Sequence, residues 1–142
     1  MTVILSATLR AEVANSRIAS NIARSTAEVF AEKQGFSGNI AEFGHAFELS
    51  ISEAFTNSVR HGNPSSDDAV VTLAFESATD ALTVRVGDKN TPFNSQPPCP
   101  EITKYPESGF GLFIIGKLMD KVTCERDGMS NILTMTKRIG RS

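Results

Sequence analysis

No uninterrupted apolar run in this 142-residue chain approaches the roughly 20 residues that cross a bilayer, which excludes a membrane-spanning helix. The opening stretch, Met1 to Arg10, lacks the basic start and long apolar segment of a signal peptide. Positive charge is also in short supply, with 14 Lys and Arg against 16 Asp and Glu and a net charge of −2. A sequence-independent nucleic-acid binder needs a basic face, so that class is excluded. Cysteine is limited to Cys99 and Cys124, which make no metal-type spacing and are expected to be reduced thiols. No internal repeat, low-complexity tract or linker divides the chain. The expectation is one cytoplasmic globular domain over residues 1–142, long enough for a continuous core.

Hydrophobic periodicity gives the order of elements. Val3 to Leu9 alternates as a strand, with Val3, Leu5, Ala7 and Leu9 on one side. Residues 11–34 read as a helix, with Val13, Ile18, Ile22, Ala23, Phe30 and Ala31 recurring at spacings near three and four. Gly35 ends it, and Ser37 or Asn39 can cap a second helix that runs to His61, before Gly62-Asn63-Pro64. Strands follow over about 69–76 and 81–88. Five prolines between 89 and 108 exclude regular structure there, and a loop of that length inside a compact domain usually has a function, such as a lid. Gly111 to Asp120 reads as a short helix, followed by a hairpin of 121–126 and 131–139 across Asp127-Gly128. Helices segregated from mostly antiparallel strands imply a two-layer α/β sandwich of the α+β kind.

Three short segments can carry chemistry. In Glu53-Ala54-Phe55-Thr56-Asn57 the i, i+4 spacing puts Glu53 and Asn57 on one helix face, apart from the arc of Phe47, Ile51, Ala54, Phe55 and Val59. An amide oxygen is a hard ligand for Mg²⁺, and a nearby carboxylate can take a proton from a hydroxyl. A solvated polar helix face is the other reading of that spacing. Asp88 ends an alternating strand at the mouth of the loop, where it can accept a hydrogen bond from an adenine amino group or serve as an Asx-turn residue. Glu107-Ser108-Gly109-Phe110-Gly111-Leu112 opens the short helix. Its glycines allow close backbone approach, and the helix start offers N–H groups to phosphate. An ordinary turn leading into a helix would look the same.

In this order, acid-x-x-x-Asn on a helix, Asp at a strand end and G-x-G-L after a long loop, the three segments resemble the nucleotide-binding boxes of the GHKL ATPase and kinase superfamily. Within it, the chain resembles the anti-sigma factor serine/threonine kinases of the RsbW-like, sporulation and general-stress type. The resemblance rests on residues 51–61, on Glu107 through Val122, and on Met135-Thr136-Lys137. It implies a Bergerat ATP-binding fold with an ATP lid at about 89–108. It further implies that Glu53 is the general base toward a partner's serine and that Asn57 holds Mg²⁺. Asp88 would read adenine, with Phe93, Gly109, Gly111 and Leu112 completing the ATP site. The implied partners are a STAS-type anti-anti-sigma protein and a sigma factor, with the kinase as a homodimer. Arg17 matches a partner-contacting position, and a solvated Arg on an amphipathic helix is the other reading. No helix pair bearing a phosphoacceptor histidine precedes the ATP-binding part, which disfavours a complete sensor kinase.

The residues leave two rival functions open: a nucleotide-binding module that sequesters its partner without phosphorylating it, and a partner-switching kinase acting on a target other than a sigma factor. Lys104 reads as a solvated loop lysine that lies late enough to reach phosphate. Cys99 reads as an exposed lid thiol, and His45 and His61 as surface or hydrogen-bonded histidines. The family's Asp-x-Gly is here Asp88-Lys89-Asn90. Asn tolerates a left-handed backbone better than most residues, so the turn can survive. Glycine tolerates it better still, and Asn90→Gly is therefore expected to bind ATP at least as tightly as the parent in a nucleotide titration.

Overall fold

The structure is a computed structural model that describes residues 2–60, 69–89 and 110–140, with only the backbone course for 110–113. Strand β1 (Thr2–Arg10) leads through a 3₁₀ turn (Val13–Asn15) into α1 (Ser16–Lys33) and α2 (Ile40–Arg60). The strands β2 (Val70–Ser77) and β3 (Ala81–Asp88) follow, then α3 (Phe110–Leu118), β4 (Lys121–Asp127) and β5 (Ser130–Arg138). The five strands form one sheet in the order β1-β2-β3-β5-β4, every neighbouring pair antiparallel. The two-layer α+β reading holds. No helix among the described residues is long and apolar enough to cross a membrane.

Alternation decides what each sheet face does. On the inner face Val71, Leu73 and Phe75 of β2, Leu82, Val84 and Val86 of β3, and Leu133 and Met135 of β5 are buried. They pack with Phe47, Ile51, Ala54 and Phe55 of α2 and Ile115 of α3 in a single cluster. Burial of each of the larger side chains contributes about 2 kcal/mol. The opposite face carries Thr83, whose hydroxyl shares a 2.8 Å hydrogen bond with that of Thr136, and an ion pair between Arg85 and Glu76.

The helix pair is held by small residues on one side and aromatics at one end. Ala19, Ala23, Ala27 and Ala31 of α1 are fully buried, and Gly44 of α2 lies so close to α1 that a Cβ there would meet Glu28 Cγ at 2.6 Å. Phe30 and Phe36 flank Phe43, and Phe43 in turn meets Phe47 at a ring separation of 5.3 Å. The reversal between the helices follows the sequence signals. Gly35 adopts φ of 68°, its N–H bonds the carbonyl of Glu32, and the Phe36 N–H bonds that of Ala31, the paired bonds of a Schellman ending. Asn39 then caps α2, its Oδ1 accepting from the Glu42 N–H at 3.0 Å.

Four expectations are corrected. Residues 11–15 are not α-helical, and Val13 and Ile18, assigned by periodicity to the buried stripe, are 63% and 49% exposed. The alanines form that stripe, because close helix packing favours small side chains over large ones. Val3 does not share a face with Leu5: the register shifts between them, so that Val3 pairs with Glu76 while Leu5 pairs with Phe75. In the last hairpin the turn residues are Gly128 and Met129, with Asp127 and Ser130 already paired. Finally, Cys124 is disulfide-bonded rather than a reduced thiol. Spacing tests metal ligation and is blind to which elements meet in space.

One polar group in the core stands out. Ser50 is fully buried on α2, and its hydroxyl has no hydrogen-bond partner among the described residues. An unpaired buried hydroxyl costs about 1 kcal/mol or more, and alanine is also the better helix former. Ser50→Ala is expected to raise the thermal unfolding midpoint by a few degrees, read by circular dichroism.

Candidate functional site

The site is organised around the C-terminal half of α2. Phe47, Ile51, Ala54 and Phe55 anchor that half in the core, which fixes the rotation of the helix. Glu53 and Asn57 lie outside the buried arc, both half-buried. Neither side chain makes a hydrogen bond or ion pair among the described residues, so a carboxylate and a carboxamide one turn apart remain available to a ligand. As a donor set, an uncommitted amide oxygen beside a carboxylate fits a hard divalent ion bound mainly through phosphate and water.

Asp88, the last residue of β3, is buried and joins this helix to the sheet. The Ser58 hydroxyl donates to Asp88 Oδ2 at 2.7 Å, and the Asn131 amide donates to Asp88 Oδ1 at 3.1 Å. Asn131 lies directly opposite Asp88 in the β3–β5 register and is itself buried. Its own Oδ1 accepts from Arg126 on β4 at 2.9 Å. Ser58 follows Asn57 in the chain, so two of the three sequence segments meet here. Asp88 is therefore a bridging residue with both oxygens engaged, a firmer placement than an Asx turn would give.

The third segment is partly described. Gly111 and Leu112 fall in the first turn of α3, a helix that packs against α2. The C-terminal end of α3 is tied to β5: Lys137 donates to the Leu118 carbonyl at 2.8 Å, the Asp120 N–H bonds the Thr136 carbonyl, and the Arg138 N–H bonds the Asp120 carboxylate at 2.7 Å. These contacts give a structural reason for Leu118-Met119-Asp120 and for Met135-Thr136-Lys137, since Met119 and Met135 are core residues as well. A lysine on the last carbonyls of a helix also opposes its dipole favourably.

Other expected residues are scattered or lie beyond the described segments. Arg17 is exposed in the first turn of α1, beside exposed Ile18, with no ion pair among the described residues. His45 is an exposed residue, 3.2 Å from Glu48, in keeping with a surface histidine. His61, Asn90, Phe93, Cys99, Lys104 and Gly109 lie outside the described residues, as does the whole of 90–109. Sequence reasoning missed Ser58, Asn131 and Arg126 as functional candidates. Ser58 sat inside a motif already singled out, whereas Asn131 and Arg126 become visible only once the strand register is known.

Comparison with known proteins places this fold in a family. A protein-family model described as Histidine kinase-like ATPase domain matches residues 7–137. Serine-protein kinase RsbW of Listeria monocytogenes is 35% identical over 114 residues, which cover 73% of this chain and 71% of the relative. The protein of the same name from Oceanobacillus iheyensis is 31% identical over 110 residues, covering 71% of this chain and 68% of the relative. Among solved structures, the crystal structure of the RsbU and RsbW domains of a Mycobacterium tuberculosis protein has a TM-score of 0.62 at 19% identity. That match covers 97% of this chain and spans about a third, 33%, of the mycobacterial chain, and it speaks to fold alone. With the matched region running from β1 to the end of β5, the chain belongs to the histidine kinase-like ATPase domain family, and within it to the RsbW serine-protein kinases.

Proposed function

We propose that this chain is an ATP-dependent protein serine/threonine kinase and anti-sigma factor, working in the cytoplasm as one ATPase domain over residues 1–142. Its substrate is a STAS-type anti-anti-sigma protein, and its other partner is a sigma factor, held inactive until the unphosphorylated antagonist displaces it. The single observation that carries the reading is the pairing of Glu53 and Asn57, half-buried and uncommitted, on the helix whose next residue, Ser58, bonds Asp88. Sequestration alone requires neither a base nor a metal ligand, so the pair favours the kinase over a purely binding module.

In this reading the carboxylate of Asp88 accepts a hydrogen bond from the adenine amino group and thereby sets the position of the nucleotide along α2. Phe93, Gly109, Gly111 and Leu112 complete the enclosure, with backbone N–H groups at the start of α3 directed to phosphate. Glu53 takes the proton of the partner's serine hydroxyl as its oxygen bonds to the γ-phosphorus and the bond to ADP breaks. Asn57 would hold Mg²⁺, which when bound neutralises charge on the β- and γ-phosphates. Arg17, with the exposed Val13 and Ile18 close to it in sequence, offers a mixed cationic and apolar surface suited to a protein partner. A homodimer is part of the same proposal.

Two substitutions test the chemistry. Glu53→Gln keeps the shape but cannot accept the proton, so phosphotransfer from radiolabelled ATP to the antagonist is expected to fall by ~10²–10⁴-fold while ATP still binds. Unchanged transfer would remove Glu53 from the mechanism. Asn57→Ala is expected to abolish the Mg²⁺ dependence of ATP binding in calorimetry with and without the ion, and full retention of that dependence would assign the metal elsewhere.

A further inference from the structure

We propose that Arg126, Asn131 and Ser58 are positioning residues that hold the Asp88 carboxylate in one orientation and thereby set discrimination between adenine and guanine nucleotides. The inference rests on the reading of Asp88 as the base-recognising residue. Both oxygens of Asp88 are engaged, Oδ2 by the Ser58 hydroxyl on α2 at 2.7 Å and Oδ1 by the Asn131 amide on β5 at 3.1 Å. The two donors come from opposite layers of the fold, so the plane of the carboxylate is fixed by the packing of helix on sheet. Asn131 in turn cannot flip its amide, because Arg126 donates to its Oδ1 at 2.9 Å, and only the Nδ2 group is left to face Asp88. Arg126 is itself braced, its Nε donating to the carbonyl of Gly128 in the β4–β5 turn at 3.2 Å. The chain of bonds thus runs from an exposed hairpin turn, through three side chains, to the helix bearing Glu53 and Asn57.

A carboxylate is an acceptor only, and what it selects depends on whether it can turn. Adenine presents a single amino donor at the position where guanine presents a carbonyl oxygen. Guanine compensates with two adjacent donors, a ring N–H and an amino group, which a freely turning carboxylate can accept with both oxygens at once. Asp88, with each oxygen already committed to the protein, can meet a single amino group but cannot swing to span guanine's two donors. A site built to hydrogen-bond one substrate group rejects the analogue lacking it, and does so only while its own groups stay in place. Loss of either brace loosens the carboxylate and lets guanine compete better.

The test compares calorimetric Kd values for ATP and GTP, both with Mg²⁺, on the full chain and on Ser58→Ala, Ser58→Thr and Arg126→Met, alongside unfolding midpoints. Ser58→Ala and Arg126→Met are each expected to narrow the ATP-over-GTP preference by about tenfold, the scale of one lost hydrogen bond to a charged group. Ser58→Thr keeps the hydroxyl donor and is expected to keep the preference. A ratio unchanged in both deletion variants, or ATP and GTP affinity falling in equal proportion, would overturn the proposal and leave the bonds as scaffolding. Should Ser58→Ala fail to fold, Arg126→Met on the edge strand decides the matter alone. A parent chain that binds neither nucleotide would overturn the ATP reading itself and this inference with it, an outcome distinct from an unchanged ratio.

Discussion

Everything at the site depends on the rotation of α2 about its own axis. A helix of 21 residues offers one arc to the sheet and α1, and the large buried side chains Phe47, Ile51 and Phe55 leave little freedom in how that arc is seated. Once it is seated, Glu53, Asn57 and Ser58 have assigned directions. Ser58 reaches Asp88, and Glu53 and Asn57 stay out of the core. A rotation of one residue, about 100°, in one sense would bury Glu53 and expose Phe47 and Phe55, so the burial that stabilises the fold also fixes where the polar face points.

The polar junction at Asp88 complements this apolar constraint. Apolar packing is non-directional and fixes volumes better than angles, whereas the bonds from Ser58 and Asn131 fix the plane of one carboxylate. A buried carboxylate is costly unless its oxygens are satisfied, and here both are. Helix and sheet thus meet through a core that sets distance and a short chain of hydrogen bonds that sets orientation. At the far end of the sheet Lys137 performs a similar service for α3, closing on the Leu118 carbonyl.

Much of this was legible in the sequence because it was written in local signals. Gly35 and Asn39 stop and start helices by local backbone chemistry, and alternation in β2, β3 and β5 matches the apolar inner face, with Thr83 as a buried polar residue on the other side. The spacing of Glu53 and Asn57 likewise needed only the helical period. What was not legible depended on partners distant in the chain. Val13 and Ile18 obey helical periodicity yet point away from the core, because the partner helix accepts alanines at that seam. The shift at Val3 is a property of two strands and cannot be read from one. Asn131 and Arg126 look like ordinary hairpin residues until register sets one of them across from Asp88. The disulfide at Cys124 belongs to the same class of non-local fact.

The alanine seam between the first two helices has a consequence for genetics. A Cβ at Gly44 would meet Glu28 Cγ at 2.6 Å, and Ala19, Ala23, Ala27 and Ala31 are fully buried, so larger side chains in this seam are expected to displace α2, the helix that carries Glu53 and Asn57. Alleles in the seam would then be recovered as loss-of-activity mutations even though they lie well away from Glu53, Asn57 and Asp88. A screen for such alleles would trace two clusters in the linear sequence, one at the chemistry and one along α1. The second cluster would invite interpretation as a separate functional surface. It would instead record how tightly a thin helical layer couples the spacing of two helices to the placement of one polar face.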